Sequence, residues 1–448
     1  MKWIYGKQDW KSFERGQENC YLLTNGLGGF SSATMIGSVS RNDHALLMAC
    51  VHAPNHRYNM VHRLSEQVTL EGDSHMISSQ EFADGTREDG WRYLEEFSYE
   101  DTPVWRFLVE GVQVRKEISV EQGTNTAAVC YEITNRSSRM CDFTVTPFFQ
   151  FTPKGSEPKP SQVFEREEGC VRSNGLRLYF WTDAEVKEIP EISEVYFYSY
   201  DDWDGRRPTG LAKANHRICK TVNPGEKCRL ELVYSMETTE KKAASILAGH
   251  RAYRKKLEEL AGFSSELAAF LAKSANQFVS RRESTDGETI LAGFPFFEDW
   301  GRDTMIALPG ICISTRQYGT AREILRTFAA YEKDGLMPNL FPEGGEAPLY
   351  NTVDAALLFI NCVYLYYQAT GEKAFVREMY PVAERIVKSY RQGTHFGIHM
   401  DEDGLIMAGQ ELDQVTWMDV RVGEFLPTPR HGKPVEINAY WYNALQIM

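Results

Sequence analysis

The spacing of apolar residues changes character once along the chain, near Glu240, and this change restricts the folds open to it. From about residue 18 to residue 238 the apolar residues come in short alternating or β-branched runs broken by turn residues, the pattern of an all-β region. Residues 114–120 and 126–134 read as a hairpin turned at Gly123-Thr124-Asn125, and residues 142–151 as the next strand. Beyond Glu240 the spacing becomes helical. Residues 241–260 form a bridging helix rich in Ala, Lys, Leu and Glu, and helices are expected at 267–281, 303–316, 320–332, 352–369, 373–391 and from 434 onward. A small hairpin is expected at 397–407, turning at Asp403-Gly404. The domains expected are therefore a β domain at 1–238, a linker helix at 239–262 and a helical domain at 263–448. The helix at 352–369 is apolar nearly all round, so it is expected to be buried among other helices.

Charge and length narrow the function. The 448 residues carry a net charge of −13, which repels phosphate backbones and anionic lipid and favours a neutral ligand over nucleic acid or a membrane surface. No apolar run at the N-terminus suits a signal peptide, and the most apolar stretch, 355–367, falls short of the roughly 20 residues of a membrane span. Nine cysteines with no CxxC pair indicate neither a disulfide framework nor a zinc site, and a reducing cytoplasm is the expected setting.

Three segments carry the chemistry. In the first, Phe294-Pro295-Phe296-Phe297-Glu298-Asp299-Trp300-Gly301-Arg302-Asp303-Thr304, Arg302 and Asp303 supply donors and acceptors for two adjacent sugar hydroxyls. Trp300 offers a flat face to the C–H edge of a sugar ring. The alternative is a helix cap by Asp303 with an arginine ion pair. In the second, a Pro- and Gly-rich loop through Pro342 and Gly344-Gly345 leads to Asn351 and Asp354 at the opening of an apolar helix. Asn351 is read first as that helix's cap, while Asp354 faces either the cap or a pocket. In the third, Asp419 beside Trp417 has the surroundings that raise an aspartate towards general-acid duty, the alternative being a turn aspartate. Arg430 and Lys433 read as site cations or as a solvated basic loop. Glu436 is a first-turn dipole partner or a second site carboxylate.

Two other patterns fail. Asn25-Gly26-Leu27-Gly28-Gly29 resembles a dinucleotide fingerprint, but β-branched sequence follows instead of a helix, so no helix N-terminus awaits a pyrophosphate. His52 and His56 are four apart, but Pro54 between them forbids the helix of a metal pair, and they are expected in a loop. No metal or cofactor site is indicated.

The words WGRDT, YNTVDA, TWMD and TPRxGKPVEI occur in order, and LTNGLGGF stands near the N-terminus. In these the chain resembles the glycogen debranching enzyme family of the amylo-α-1,6-glucosidase type over nearly its whole length. The resemblance implies an N-terminal antiparallel β-sandwich followed by an (α/α)6 toroid, with α-glucan such as glycogen or limit dextrin as substrate. It implies inverting hydrolysis of α-1,6-linked glucose stubs, with Asp419 as general acid. Trp300, Arg302 and Asp303 would hold the terminal glucose, and Asn351, Asp354, Trp417, Arg430, Lys433 and Glu436 would complete the pocket. A full toroid has twelve helices and this sequence supplies about six, so the toroid is expected to be incomplete here, stopping before the region of the family's general base. The alternatives are a glucan or disaccharide phosphorylase on the same architecture, and a non-catalytic glucan-binding chain.

Overall fold

The computed structural model describes residues 1–238, 240–341 and 347–448. Pro342 and Gly344-Gly345 of the second motif lie outside the described residues, as does Thr239 in the expected linker. Contacts divide the chain into two compact units, Met1–Lys256 and Leu257–Met448, and the division falls inside the helix Ala243–Ala261.

The first unit is built from two large antiparallel sheets. The nine-stranded sheet runs from Trp3–Gly6 through Leu94–Tyr99, Pro103–Val109, Val112–Val120, Thr126–Asn135 and Lys227–Ser235 to its Leu176–Thr182 side. The eight-stranded sheet centres on Thr209–Val222, Cys141–Pro153, His56–Leu70 and Ala45–His52. Strand Pro103–Val109 shows why the sequence folds this way. Trp105, Phe107 and Val109 are buried while Arg106 and Leu108 face out, the period-2 pattern of a strand with one face on a core. Its partner Val112–Val120 pairs with Thr126–Asn135, Val114 opposite Ile133. Trp105, Val114 and Tyr131 of one sheet join Leu47, Val61 and Phe143 of the other in a single core cluster.

Asn25 to Gly29 is a tight turn between Cys20–Thr24 and Phe30–Thr34, with Asn25 N–H donating to the Gly29 carbonyl at 3.1 Å. Gly28 sits at φ +91°, and a Cβ there would lie 2.0 Å from the Pro54 carbonyl oxygen, so only glycine fits. His52 and His56 are not loop residues. They end one strand and begin the next, opposite each other across a hairpin, with their rings edge-on at 5.6 Å.

In the second unit the apolar helix Ala355–Thr370 is central, packed by helices Gly301–Leu308, Tyr318–Ala330, Lys373–Gln392 and Val435–Ile447. Its buried side chains point to every side, as its composition led one to expect. Two expected helices are shorter than their spacing suggested. The helix at 267–281 ends at Ala275, and Val279–Arg282 becomes a strand paired with Gly287–Ile290. The helix at 303–316 is α-helical over Gly301–Leu308 and passes into a π-turn at Pro309–Ile313, because Pro309 lacks the N–H that would continue the α ladder. The small hairpin pairs His399–Met400 with Ile406–Met407. No helix among the described residues is long and apolar enough to cross a membrane.

Candidate functional site

Three helices of the second unit begin with the motif residues. Arg302 and Asp303 lie in the first turn of Gly301–Leu308, Asp354 is the N-cap residue of Ala355–Thr370, and Glu436 is in the first turn of Val435–Ile447. Carboxylates are favoured there by the unpaired N–H groups and the positive end of the helix dipole. The close approach of Gly301 to its neighbour segment fixes the first of these starts. Gly301 N–H donates to the Asn339 carbonyl at 2.8 Å, and a Cβ at Gly301 would lie 1.9 Å from the Pro338 carbonyl oxygen. Trp300, half-buried, bridges Leu340 beside it.

Arg302 draws the three segments together. Its Nε donates to Asp354 Oδ2 at 2.6 Å and its Nη1 to Asp419 Oδ2 at 3.3 Å. Nη2 donates to the Thr416 carbonyl at 2.8 Å and to Thr352 Oγ1 at 3.3 Å. The Thr352 hydroxyl in turn donates to Asp354 Oδ1. Val353 N–H reaches the Val415 carbonyl at 2.9 Å, so the two loops are also tied through their backbones. The guanidinium is therefore engaged with protein groups rather than left as a free fork for sugar hydroxyls, and it sets where two carboxylates stand.

Those carboxylates differ. Asp354 is 5% exposed, whereas Asp419 is 41% exposed, so one is closed in and the other has an open side. The enclosed carboxylate-and-tryptophan arrangement expected at Asp419 is not formed, since Trp417 is itself exposed and lies against Arg430, whose guanidinium carbon is 5.5 Å from the ring centroid. Asp303 is exposed by area yet crowded around its carboxyl. Desolvation raises it above the ordinary aspartate value, Arg302 opposes the rise, and the nearby charges of Asp354 and Asp419 add to it.

Arg430 and Glu436 form a two-pronged ion pair, Nη2 to Oε2 being 2.8 Å, and this pair holds Glu436 below the ordinary glutamate value. Lys433 is 2.7 Å from both Asp401 and Asp403 on the small hairpin. Asn351 is half-buried and does not cap the helix, because Asp354 stands at the cap position and Ala355 begins the helix. Sequence reasoning missed Thr352, the Thr416 carbonyl and Tyr440. Burial raises the Tyr440 phenol, and the charges of Asp354 and Glu436 raise it further. Its spacing of four from Glu436 on one helix face was the available signal.

This arrangement falls within the second of two matches to known family models. Residues 19–228 match the model described as "Glycogen debranching enzyme N terminal", and residues 273–448 match "Amylo-alpha-1,6-glucosidase". The chain belongs to the glycogen debranching enzyme family. Among curated proteins, the glycogen debranching enzyme of Saccharomyces cerevisiae is 29% identical over 254 residues. That match takes in 42% of this chain and 16% of the yeast protein, so the debranching-family chain described here corresponds to a small part of that relative. Among solved structures, a putative kojibiose phosphorylase from human microbiome is 9% identical with a TM-score of 0.48, covering 91% of this chain and 61% of that one. A bacterial glucoamylase complexed with acarbose is 11% identical with a TM-score of 0.44, covering 88% of this chain and 60% of that one.

Proposed function

We propose that this chain acts on glycogen-like α-glucans as the α-1,6-glucosidase portion of a debranching enzyme, and that its helices are part of an (α/α)6 toroid. The observation that carries the reading is the Arg302 cluster, in which one guanidinium holds Asp354, at a helix N-cap, and Asp419, far apart in sequence, within the matched glucosidase region. Asp419 is the candidate acid because its outer side is open to a substrate while Asp354 is enclosed. In this reading Asp419 gives its proton to the glycosidic oxygen, which departs with the glucan chain as its 6-hydroxyl when the bond to glucose C1 breaks. A second carboxylate roughly 6.5–9.5 Å away takes a proton from the attacking water, which inverts the anomeric carbon. Trp300 and Asp303 border the terminal glucose, with Asn351, Trp417, Arg430, Lys433 and Glu436 as further pocket candidates. All nine cysteines are free thiols, which fits a reducing compartment, and the cytoplasm is the proposed setting.

The test is glucose release from phosphorylase-limit dextrin and from panose, with and without phosphate. Phosphate-independent glucose that disappears in Asp419→Asn, with glucan binding kept, supports the reading. Release that requires phosphate, and yields a glucose phosphate, replaces it with a phosphorylase. Binding without any release replaces it with a glucan-binding role, and turnover unchanged in Asp419→Asn removes Asp419 from the mechanism.

A further inference from the structure

A second buried ion pair lies directly behind the Trp300-Gly301-Arg302 segment. Arg282, at the end of the strand Val279–Arg282, pairs with Asp299, and their side chains are 2% and 1% exposed. The Thr289 hydroxyl joins them, accepting from Arg282 Nη2 at 2.8 Å and donating to Asp299 Oδ2 at 3.3 Å. The Arg282 guanidinium carbon lies 3.8 Å from the centroid of the Phe341 ring, and Phe341 follows Leu340, the residue that bridges Trp300. One guanidinium thus touches both sides of the motif: Asp299 immediately before Trp300, and the segment against which Trp300 and Gly301 are hydrogen-bonded.

Burying such a pair gains little stability over apolar residues of the same size, because desolvation offsets most of the attraction. It does fix direction, since Arg282 Nη2 meets both Asp299 and the Thr289 hydroxyl while the planar guanidinium lies over the Phe341 ring. We infer that the Arg282–Asp299 pair is a positioning device that sets the place of Trp300 and Arg302, and through Arg302 the place of Asp419. Its effect on sugar binding rests on the glucosidase reading above; its effect on the segment itself does not.

The experiment uses the full chain with Arg282→Met and Asp299→Asn together, which removes both charges while leaving a side chain against Phe341 and an acceptor for Thr289. The melting temperature is expected to stay within about 4 °C of the parent. Panose binding, measured by calorimetry, is expected to weaken about 10–100-fold, the scale of effect of a misplaced binding group. Hydrogen exchange is expected to speed up in peptides covering residues 299–304 and not elsewhere in the second unit. A folded variant with parental panose affinity and parental exchange overturns the inference. If the parent itself takes up no panose, the glucosidase reading fails, and the exchange measurement alone decides whether the pair fixes the segment. If the double variant does not fold, Arg282→Lys serves instead: it keeps the charge but loses the fork and the flat stacking. It is expected to fold with faster exchange at 299–304, and parental exchange there overturns the inference.

Discussion

Each unit holds a buried charge cluster, and these two clusters are arranged in opposite ways. In the sheet unit, Lys116 Nζ is 2.5 Å from Glu66 Oε1, with side-chain exposures of 10% and 4%, and Tyr131 donates its hydroxyl to the same glutamate at 2.8 Å. Lys116 also lies 5.3 Å from the Trp105 ring. Trp105 and Tyr131 belong to the core between the two sheets, so both charged side chains are set within it. In the helical unit, Arg302 is as deeply placed, at 9% exposure, but its second carboxylate, Asp419, is open on one side. An enclosed pair can only hold structure, whereas a half-open pair presents an oriented carboxylate to whatever arrives. The difference between these two clusters is one of access, not of burial of charge.

The largest loss is expected for Glu66→Ala. It leaves Lys116 as an uncompensated charge in the core, and the sheet unit is expected to lose about 3–5 kcal/mol, read from its denaturant transition. Replacing the cluster as a whole, by Glu66→Leu with Lys116→Met and Tyr131→Phe, is expected to recover most of that loss, because no polar group is then left without a partner. A loss below about 1 kcal/mol for Glu66→Ala would mean that the cluster is reached by water and is no core device.

Acid sharpens the contrast further. Burial pushes His44, His62 and His216 down to about 3 and His250 to about 4, all within the sheet unit. Unfolded histidines titrate near 6.5, so these four add stability above about pH 6.5 that is lost as the pH falls towards 3. Asp303 in the helical unit is shifted the other way, upward by desolvation, so its contribution is fully present below the unfolded aspartate value and is lost as the pH rises through the raised one. Urea unfolding from pH 7 to pH 4.5, followed by proteolysis with peptide identification, is expected to show the sheet unit weakening first. In His62→Gln that slope is expected to flatten. Parallel weakening of the two units, unaltered in His62→Gln, would sink the assignment.

How far the sequence discloses these two regions follows from the range over which each is determined. Strands such as Pro103–Val109 and the helix Ala355–Thr370 are visible because their apolar period is local. The strand Val279–Arg282 is not: four residues are too few to show a period, and only pairing with Gly287–Ile290 decides them against the helix that precedes. The motif segments are legible as words, and their placement at helix starts follows from Gly301, Asp354 and Pro434. The partners within the site are not legible. Arg302 meets Asp354 across 52 residues and Asp419 across 117, and no local rule reaches that far. Lys433, close in sequence to Arg430 and Glu436, turns instead to Asp401 and Asp403 because the hairpin brings two carboxylates nearer.

The smallest expected effect is the one that tests what an open carboxylate is for. Asp354 and Asp419 contact the same guanidinium, so a purely structural Arg302 cluster would register the loss of either. Because Asp419 is 41% exposed, water can replace its contact at 3.3 Å, and Asp419→Ala is expected to change stability by less than about 1 kcal/mol. Asp354, at 5% exposure, also accepts from the Thr352 hydroxyl, and Asp354→Ala leaves Arg302 and Thr352 facing a buried gap, so its cost is expected to be several times larger. Thermal melts of the two variants, run side by side, read the difference directly. Equal losses would show that Asp419 is held as firmly as the core pair in the sheet unit, and the open side would then be a feature of the surface rather than of a site. Unequal losses, with Asp419→Ala close to the parent, leave a carboxylate whose position is fixed at the expense of Arg302 and whose stability role is nearly nil, the condition under which its chemistry can be assayed apart from the fold.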